Sequence, residues 1–213
     1  RDERGRAGDL DVYTGGIRAA GRLPHRTDYS IDLALQTGHA AGDDIRAWAG
    51  HWSIGCSPWN NGKAPRLVAE YNYASGDEDP YDGRRGTFDQ LYPTNHSKYG
   101  IADRVGWRNI HDAMGGLEWK PSPKWKLNAD YHAFWLASRR DGLYGASGSL
   151  TVLNNHATSS HVGNEVDVQV NCRLTKQLLF GFGYSHVFPG KYLRQSTGGS
   201  GVSYPYVIWE YRL

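Results

Sequence analysis

The sequence has little of the material that builds a helical membrane protein or a large aliphatic core. It contains one Met among 213 residues, and its mean hydropathy is −0.64. No segment approaches the run of roughly 18 apolar residues that a membrane-spanning helix needs, which excludes a helical membrane protein. A transmembrane β-barrel stays open, because strands that alternate apolar and polar residues average out as polar.

Cysteine and one-sided charge are also scarce. The chain has two cysteines, Cys56 and Cys172, which lie far apart without a CxxC motif or the spacing of metal ligands. We expect both to be inert small apolar residues and predict neither a disulfide nor a metal site. The formal net charge is +2, and Lys and Arg are scattered among Asp and Glu, which argues against nucleic-acid binding.

Glycine and aromatic residues are abundant instead. The chain has 27 Gly, 14 Tyr and 8 Trp, a composition that favours many strands joined by turns over a helical core. Alternation of apolar and polar residues predicts about nine strands. They cover residues 12–21, 29–37, 46–56, 66–74, 111–120, 124–135, 165–174, 178–188 and 203–213.

Two of these strands show most clearly how the faces divide. In 165–174 every apolar residue falls on one face and every charged or amide residue on the other. In 124–135 the apolar face carries Trp125 near one end and Trp135 near the other, where a membrane barrel places its interfacial aromatic girdles. We therefore predict an all-β, antiparallel, up-and-down transmembrane barrel with a polar lumen.

The connections between the predicted strands differ in length. Short turns are expected at 23–26, 121–123 and 175–176, a somewhat longer one at 57–65, and long polar loops at 75–109, 138–162 and 191–201. Short periplasmic turns and long outer loops are typical of outer-membrane barrels, whose complete single chains have an even number of strands. Because our count is odd, we expect residues 1–213 to form one barrel domain that is the C-terminal portion of a longer chain, unless the count is off by one.

A block of motifs resembles a known family. The stretch 86–112 contains GTFDQLYPTNH and VGWRNIHD, and it resembles the hallmark region of the alginate-export family of porin-like channels. The stretches 130–144, 160–167 and 183–190 agree with that family in order and spacing. The last residues place Val207, Trp209, Tyr211 and Leu213 on one face, which resembles the C-terminal signal of outer-membrane barrels, except that this signal usually ends in Phe or Trp.

The resemblance implies a channel in the bacterial outer membrane with a polar lumen and about twice the strands counted here. The expected role is passive diffusion or export of a polar solute, such as alginate or another polysaccharide or oligosaccharide. The expected partners are the lipid bilayer, the solute and, through the C-terminal strand, the barrel-assembly machinery. No cofactor, metal or catalytic residue is expected. Two alternatives from other classes are a barrel enzyme acting on lipid or glycan and a soluble all-β binding module.

The predicted lumen carries charges of both signs. A channel for a polyuronate should be rich in Arg and Lys, because fixed positive charge concentrates an anionic substrate. Acidic residues are at least as numerous here, so a neutral sugar, a zwitterion or general diffusion fits equally well. The same charges also have a structural explanation, since they keep a lumen wet and pair across strands. The candidate selectivity residues are Arg18, Asp32, Arg66, Glu70, Asp112, Glu118, Lys126, Asp130, His132, Glu165, Asp167, Arg173, Glu210 and Arg212.

The long loop 75–109 is the candidate for a pore constriction. We expect Arg84, Arg85, Asp89 and Tyr92 to belong to the constricting part, with the two arginines and Asp89 tying the loop inward. The acidic residues within 77–82 of this loop offer oxygen ligands for Ca²⁺, but they lack an EF-hand pattern. A solvated loop is the competing interpretation.

Two histidines, His132 and His186, are candidates for a catalytic role. Ser185 and His186 are adjacent in a strand, so their side chains point to opposite faces and cannot form a nucleophile and base pair with each other. His132 is expected to face the lumen and to pair with a carboxylate of a neighbouring strand, which favours a structural hydrogen-bond network over catalysis.

Overall fold

The computed structural model describes residues 7–59, 63–93, 96, 98–153 and 157–212. Strands make up most of this part of the chain, and one short helix, α1, covers Lys191–Thr197. The strands are β1 Leu10–Leu23, β2 Thr27–Ala40, β3 Asp43–Cys56, β4 Arg66–Ala74, β5 Arg84–Arg85, β6 Ile110–Ser122, β7 Trp125–Leu136, β8 Leu143–Tyr144, β9 Leu150–Val152, β10 His161–Arg173, β11 Leu178–Pro189 and β12 Val202–Tyr211.

Nine long strands form one antiparallel up-and-down sheet. Its order is β1-β2-β3-β4-β6-β7-β10-β11-β12, so each long strand pairs with the long strands before and after it. The short β5 adds to β3 in parallel, and β8 pairs with β9 as a separate small sheet. The nine predicted strands are confirmed. Within the described ranges β1 and β12 are the two edges of the sheet and do not pair with each other.

The two faces of the sheet are inverted relative to a water-soluble protein. One face exposes large apolar side chains, such as Trp209 at 75% and Tyr131 at 49% exposure. The opposite face buries polar ones, including Glu165 at 0% and Asp167 at 2%. The described parts of the segments 75–109 and 137–160 fold over this second face, which we call the loop-bearing face. Large apolar side chains exposed along one face of the whole sheet are what a lipid-facing barrel wall presents.

The connections differ from the predicted pattern at three places. β2 and β3 are joined by Ala41 and Gly42 alone, although this turn lies at the same end of the sheet as the long loops. β6 continues through Pro121, which was predicted as a turn, and a bulge between Trp119 and Ser122 accommodates the proline that cannot donate to the ladder. The segment 191–201 contains α1 where a loop was expected, because Tyr192 buries its ring among loop residues.

A compact apolar cluster holds the long loops against the loop-bearing face. Phe88 and Val105 from 75–109 and Leu143 from 137–160 pack with Ile110 of β6 and Phe134 of β7. The loops are therefore anchored parts of the fold. Among the described residues no helix is long and apolar enough to cross a membrane.

Candidate functional site

A polar network crosses the loop-bearing face from strand to strand. His51 Nδ1 lies 2.7 Å from Asn72 Oδ1, and Asn72 Nδ2 donates to Asp112 Oδ2 at 3.1 Å. His132 Nδ1 lies 3.0 Å from Asp112 Oδ1, and its Nε2 lies 3.9 Å from Asp167 Oδ2. These residues meet because alternate residues of paired strands share one face. As predicted, His132 pairs with a carboxylate of a neighbouring strand.

A short stretch of backbone lies directly on this network. The backbone N–H of Ile101 donates to Asp167 Oδ2 at 3.1 Å, and that of Ala102 donates to Glu165 Oε1 at 2.8 Å. Ser185 Oγ donates to the same Glu165 oxygen at 2.8 Å. We call residues 99–102 the strap. Two buried carboxylates hold the strap across the sheet, and hydrogen bonds to charged acceptors are among the strong ones.

Gly100 permits this close approach. Its φ is +85°, a conformation that other residues rarely adopt, and a Cβ there would lie 2.4 Å from Cδ of Glu165. Next to it, the ring of Tyr99 stacks on Trp107 with centroids 6.2 Å apart. Burial raises the pKa of Tyr99 well above its usual value, so its hydroxyl stays protonated. The strap is thus fixed at both the backbone and the side-chain level.

Asn109 joins the two long loops. Its side chain is fully buried, and its Nδ2 donates to the carbonyl oxygens of Ser138 and Gly142, both at 2.9 Å. Its Oδ1 accepts from the backbone N–H of Ser138 at 2.6 Å. Gly76 makes room for it, since a Cβ at Gly76 would lie 1.8 Å from Asn109 Oδ1. The loops are therefore tied to each other as well as to the sheet.

The acidic segment considered for Ca²⁺ stabilises its own loop. Asp77 accepts from the backbone N–H groups of Asp79 and Gly86, and Asp82 accepts from that of Arg84. Asp141 Oδ2 in turn accepts from the backbone N–H of Asp77 at 2.9 Å. In the described part of the chain no group of three or more His, Cys, Asp or Glu residues is arranged to hold a metal ion.

Beneath the strap lies an acidic cavity of about 160 Å³. Glu70, Asp130 and Asp167 contribute carboxylates to its wall, and Lys98 comes from the loop above. Asp130 contacts no strap amide, so its charge faces the cavity without a role in anchoring. The other lining residues are His96, Gly100, Ile101, Met114, Asn128, His132 and Gln169.

A second cavity, of about 530 Å³, lies at the turn end of the sheet and is basic. None of its described lining residues is a carboxylate. The charged side chains around it are Lys63, Lys120, Lys124, Lys126 and Arg173. The charges that the sequence presents as mixed are therefore separated along the strands, with Lys126 and Arg173 at the turn end and Asp130 and Asp167 under the strap.

Other predicted lumen charges pair across strands. Arg66 NH2 lies 2.6 Å from Asp28 Oδ1, and its NH1 lies 3.1 Å from Glu118 Oε2. Arg18 Nε lies 3.6 Å from Asp32 Oδ1 in the neighbouring strand. Within β12 and the residue after it, Arg212 donates to Glu210. The cross-strand pairs of Arg66 and Arg18 are what the structural explanation of the lumen charges predicts.

The four predicted constriction residues belong to the same loop but differ in their contacts and in their exposure to solvent. Arg84 and Arg85 form β5, which pairs with β3 at Asp44 and Ile45. Asp89 exchanges two hydrogen bonds of 2.7 Å with the Gln36 side chain through its backbone. Tyr92 is 88% exposed. The strap was not singled out from the sequence, although Tyr99, Gly100 and Ala102 belong to the motif that carries the family resemblance.

A serine and a histidine do meet, on the exposed apolar face. His186 Nδ1 lies 2.8 Å from Ser203 Oγ, and the two residues face each other in the β11–β12 register. Within the described residues, no carboxylate hydrogen-bonds to His186. Ser185 points to the other face and donates to Glu165, as the alternation predicted. A cross-strand hydrogen bond accounts for this contact, which lacks the third member of a catalytic triad.

Comparison with known proteins agrees with this geometry. The family model described as alginate export matches residues 1–206. No curated protein matches the chain. The family consists of outer-membrane β-barrels that serve polysaccharide export. Since the match covers nearly the whole chain, this protein belongs to the alginate export family.

Proposed function

We propose that the protein is a passive outer-membrane channel for a polar saccharide, that its loop-bearing face lines the lumen, and that the strap narrows the passage. The observation that carries the proposal is the attachment of the strap to Glu165 and Asp167 across a sheet whose other face is apolar. A soluble binding module would bury its aromatic face, whereas Trp209 and Tyr131 are exposed.

The solute meets two charged regions in sequence along this lumen. With the short turns in the periplasm, the basic cavity around Lys126 and Arg173 is the periplasmic mouth, and the acidic cavity around Asp130 lies deeper. Fixed charge raises the local concentration of counter-charged solutes, and several weak sites in series allow a solute both to bind and to leave. The protein's role is then to bind and guide the solute, with no chemical step.

Membrane insertion involves the outer surface and the last strand. The side chains of Val207, Trp209 and Tyr211 of β12 point to the exposed apolar face. Their alternate positions match those of the C-terminal signal that the barrel-assembly machinery binds in other barrels. Leu213, the last residue of that predicted signal, lies outside the described residues. The lipid bilayer covers the apolar face in this proposal.

Liposome swelling tests the channel directly. Vesicles that contain the intact protein are diluted into isosmotic solutions of a monosaccharide, a trisaccharide and a hexasaccharide, and we expect swelling whose rate falls with sugar size. The size dependence follows from a fixed constriction. Vesicles without protein, and vesicles with heat-unfolded protein, provide the controls. Swelling of folded-protein vesicles at the protein-free rate would contradict the proposal.

A further inference from the structure

Tyr206 lies flat on the loop-bearing face. It stands opposite Gly183 in the β11–β12 register, and a Cβ at Gly183 would lie 2.1 Å from Cζ of the tyrosine ring. The ring therefore covers the glycine and extends across β11 towards β10, where Gln169 Nε2 donates to its hydroxyl at 3.0 Å. An aromatic ring laid over a strand glycine is a recognised stabilising device in sheets. Here it also turns one face of the ring towards the lumen side.

The aromatic surface continues to the constriction. Tyr204 lies on the same face of β12, with its ring centroid 5.8 Å from that of Tyr206. His96, from the loop that carries the strap, stacks on Tyr204 with centroids 5.9 Å apart and planes inclined by 14°. His96 and Gln169 both line the acidic cavity. A row of rings thus runs from the cavity down β12.

Neutral amides border this row of rings. Asn128 stands opposite Gln169 in the β7–β10 register, and Asn171 follows Gln169 on the same face. The side-chain oxygens of Asn128 and Asn171 are buried, and no group in the described residues donates to them. Both residues are themselves partly exposed, Asn128 in the wall of the acidic cavity and Asn171 in that of the basic cavity, so a turn of each amide brings its unpaired oxygen to a hydroxyl group in the lumen.

We propose that Tyr206, with Gln169, Asn128 and Asn171, forms a subsite that binds one pyranose ring of the saccharide in transit. The inference rests on the proposed channel function and deepens it. A pyranose has a flat C–H face that packs on an aromatic ring and a rim of hydroxyls that donate to amide oxygens, so it matches both parts of the site. Lipid chains are excluded as ligands, because they contact the opposite face of β12.

Calorimetric titration of the intact, detergent-folded protein tests this subsite without requiring conduction. The probes are a neutral cellohexaose and a hexauronate of β-1,4-linked mannuronate. Tyr206→Leu should weaken binding about fivefold to tenfold, since it removes the stacking surface. Tyr206→Phe keeps the ring, so its affinity should stay within about threefold. Tyr131→Leu, on the opposite, exposed apolar face of the sheet, is the matched control and should change nothing.

Two further measurements keep the test decisive. If Tyr206→Leu does not fold, Gln169→Leu removes one of the amides that bind the sugar hydroxyls, and a loss of similar size is expected. Raising the salt concentration should leave binding at the ring site nearly unchanged, whereas binding held by the basic mouth would weaken. The subsite is wrong if Tyr206→Leu and Gln169→Leu bind both probes as tightly as the unaltered protein, or if neither probe binds a protein that conducts. Loss of conduction with binding intact would instead remove only the channel proposal.

Discussion

Gly100→Ala is expected to raise the single-channel conductance of the intact protein severalfold. An alanine Cβ would lie 2.4 Å from Cδ of the buried Glu165, and the φ of +85° adds backbone strain of about 1–3 kcal/mol. The strap is held there by two hydrogen bonds to carboxylates, each contributing about 1.5–3 kcal/mol. The free-energy cost of the clash and the strain is comparable with the contribution of these two hydrogen bonds. The strap should therefore detach from the sheet while the nine-stranded sheet stays folded.

Substitutions of two other glycines distinguish the steric clash from the backbone strain as causes of the higher conductance. Gly83→Ala introduces a residue at φ +78° without any atom within 4 Å of the new Cβ, so it tests strain alone in the same loop. Gly115→Ala adds a methyl group on the exposed face of β6, also without a neighbour within 4 Å. Both variants should conduct like the unaltered protein. Unchanged conductance of a folded Gly100→Ala variant would mean that the strap does not narrow the passage.

Asp130→Asn is expected to lower the ratio of cation to anion permeability about twofold or more at low salt. Asp130 faces the acidic cavity and holds no strap amide, so the substitution removes charge without releasing the strap. Adding Asp167→Asn should enlarge the shift, because it removes a second negative charge. The strap should stay in place, because an asparagine oxygen can still accept from the N–H of Ile101. The reversal potential under a salt gradient measures the ratio, and the effect should shrink above about 0.1 M salt, where the Debye length falls below about 10 Å.

A charge on the exposed face serves as the control for this prediction. Asp44 points away from the loop-bearing face and pairs with His39 at 2.9 Å, so Asp44→Asn should leave the reversal potential unchanged. If Asp130→Asn and the double variant both keep the original ratio, the acidic cavity does not contribute to selectivity. The lumen charges would then serve only hydration and cross-strand pairing.

The faces of the strands were predictable because a period of two is a local property. The alternation in 165–174 and 124–135 correctly separated the exposed Tyr131 from the buried Glu165 and Asp167. Strand ends were less accurate, since β1 extends to Leu10 and β10 begins at His161, where pairing with neighbouring strands continues beyond the clear alternation. The strands β2 and β3 likewise extend beyond the predicted 29–37 and 46–56, so that only Ala41 and Gly42 connect them.

The strap and the sugar subsite depend on contacts that local patterns do not contain. Ala102 and Glu165 are separated by 63 residues in the chain, and Gln169 and Tyr206 by 37. Which residues meet is decided by the register of several strands, and one residue of slip would exchange the two faces. The same holds for the separation of Lys126 and Arg173 from Asp130, which the sequence presents only as a mixture of charges.

Helix α1 was missed for a related reason. Seven residues between two glycines carry too little periodicity to predict a helix. Its formation depends on Tyr192, whose ring is fully buried in the apolar cluster and whose hydroxyl donates to the carbonyl of Val152 at 3.2 Å. Tertiary packing, rather than local preference, stabilises this helix.

Single-channel recording in planar bilayers tests most directly whether the intact protein is a saccharide channel. The conductance and reversal potential are measured under a salt gradient, and cellohexaose and the hexauronate are then added in turn. We expect discrete conductance steps that at least one of the two saccharides blocks reversibly. A correctly folded barrel that shows no conductance steps would contradict the channel function.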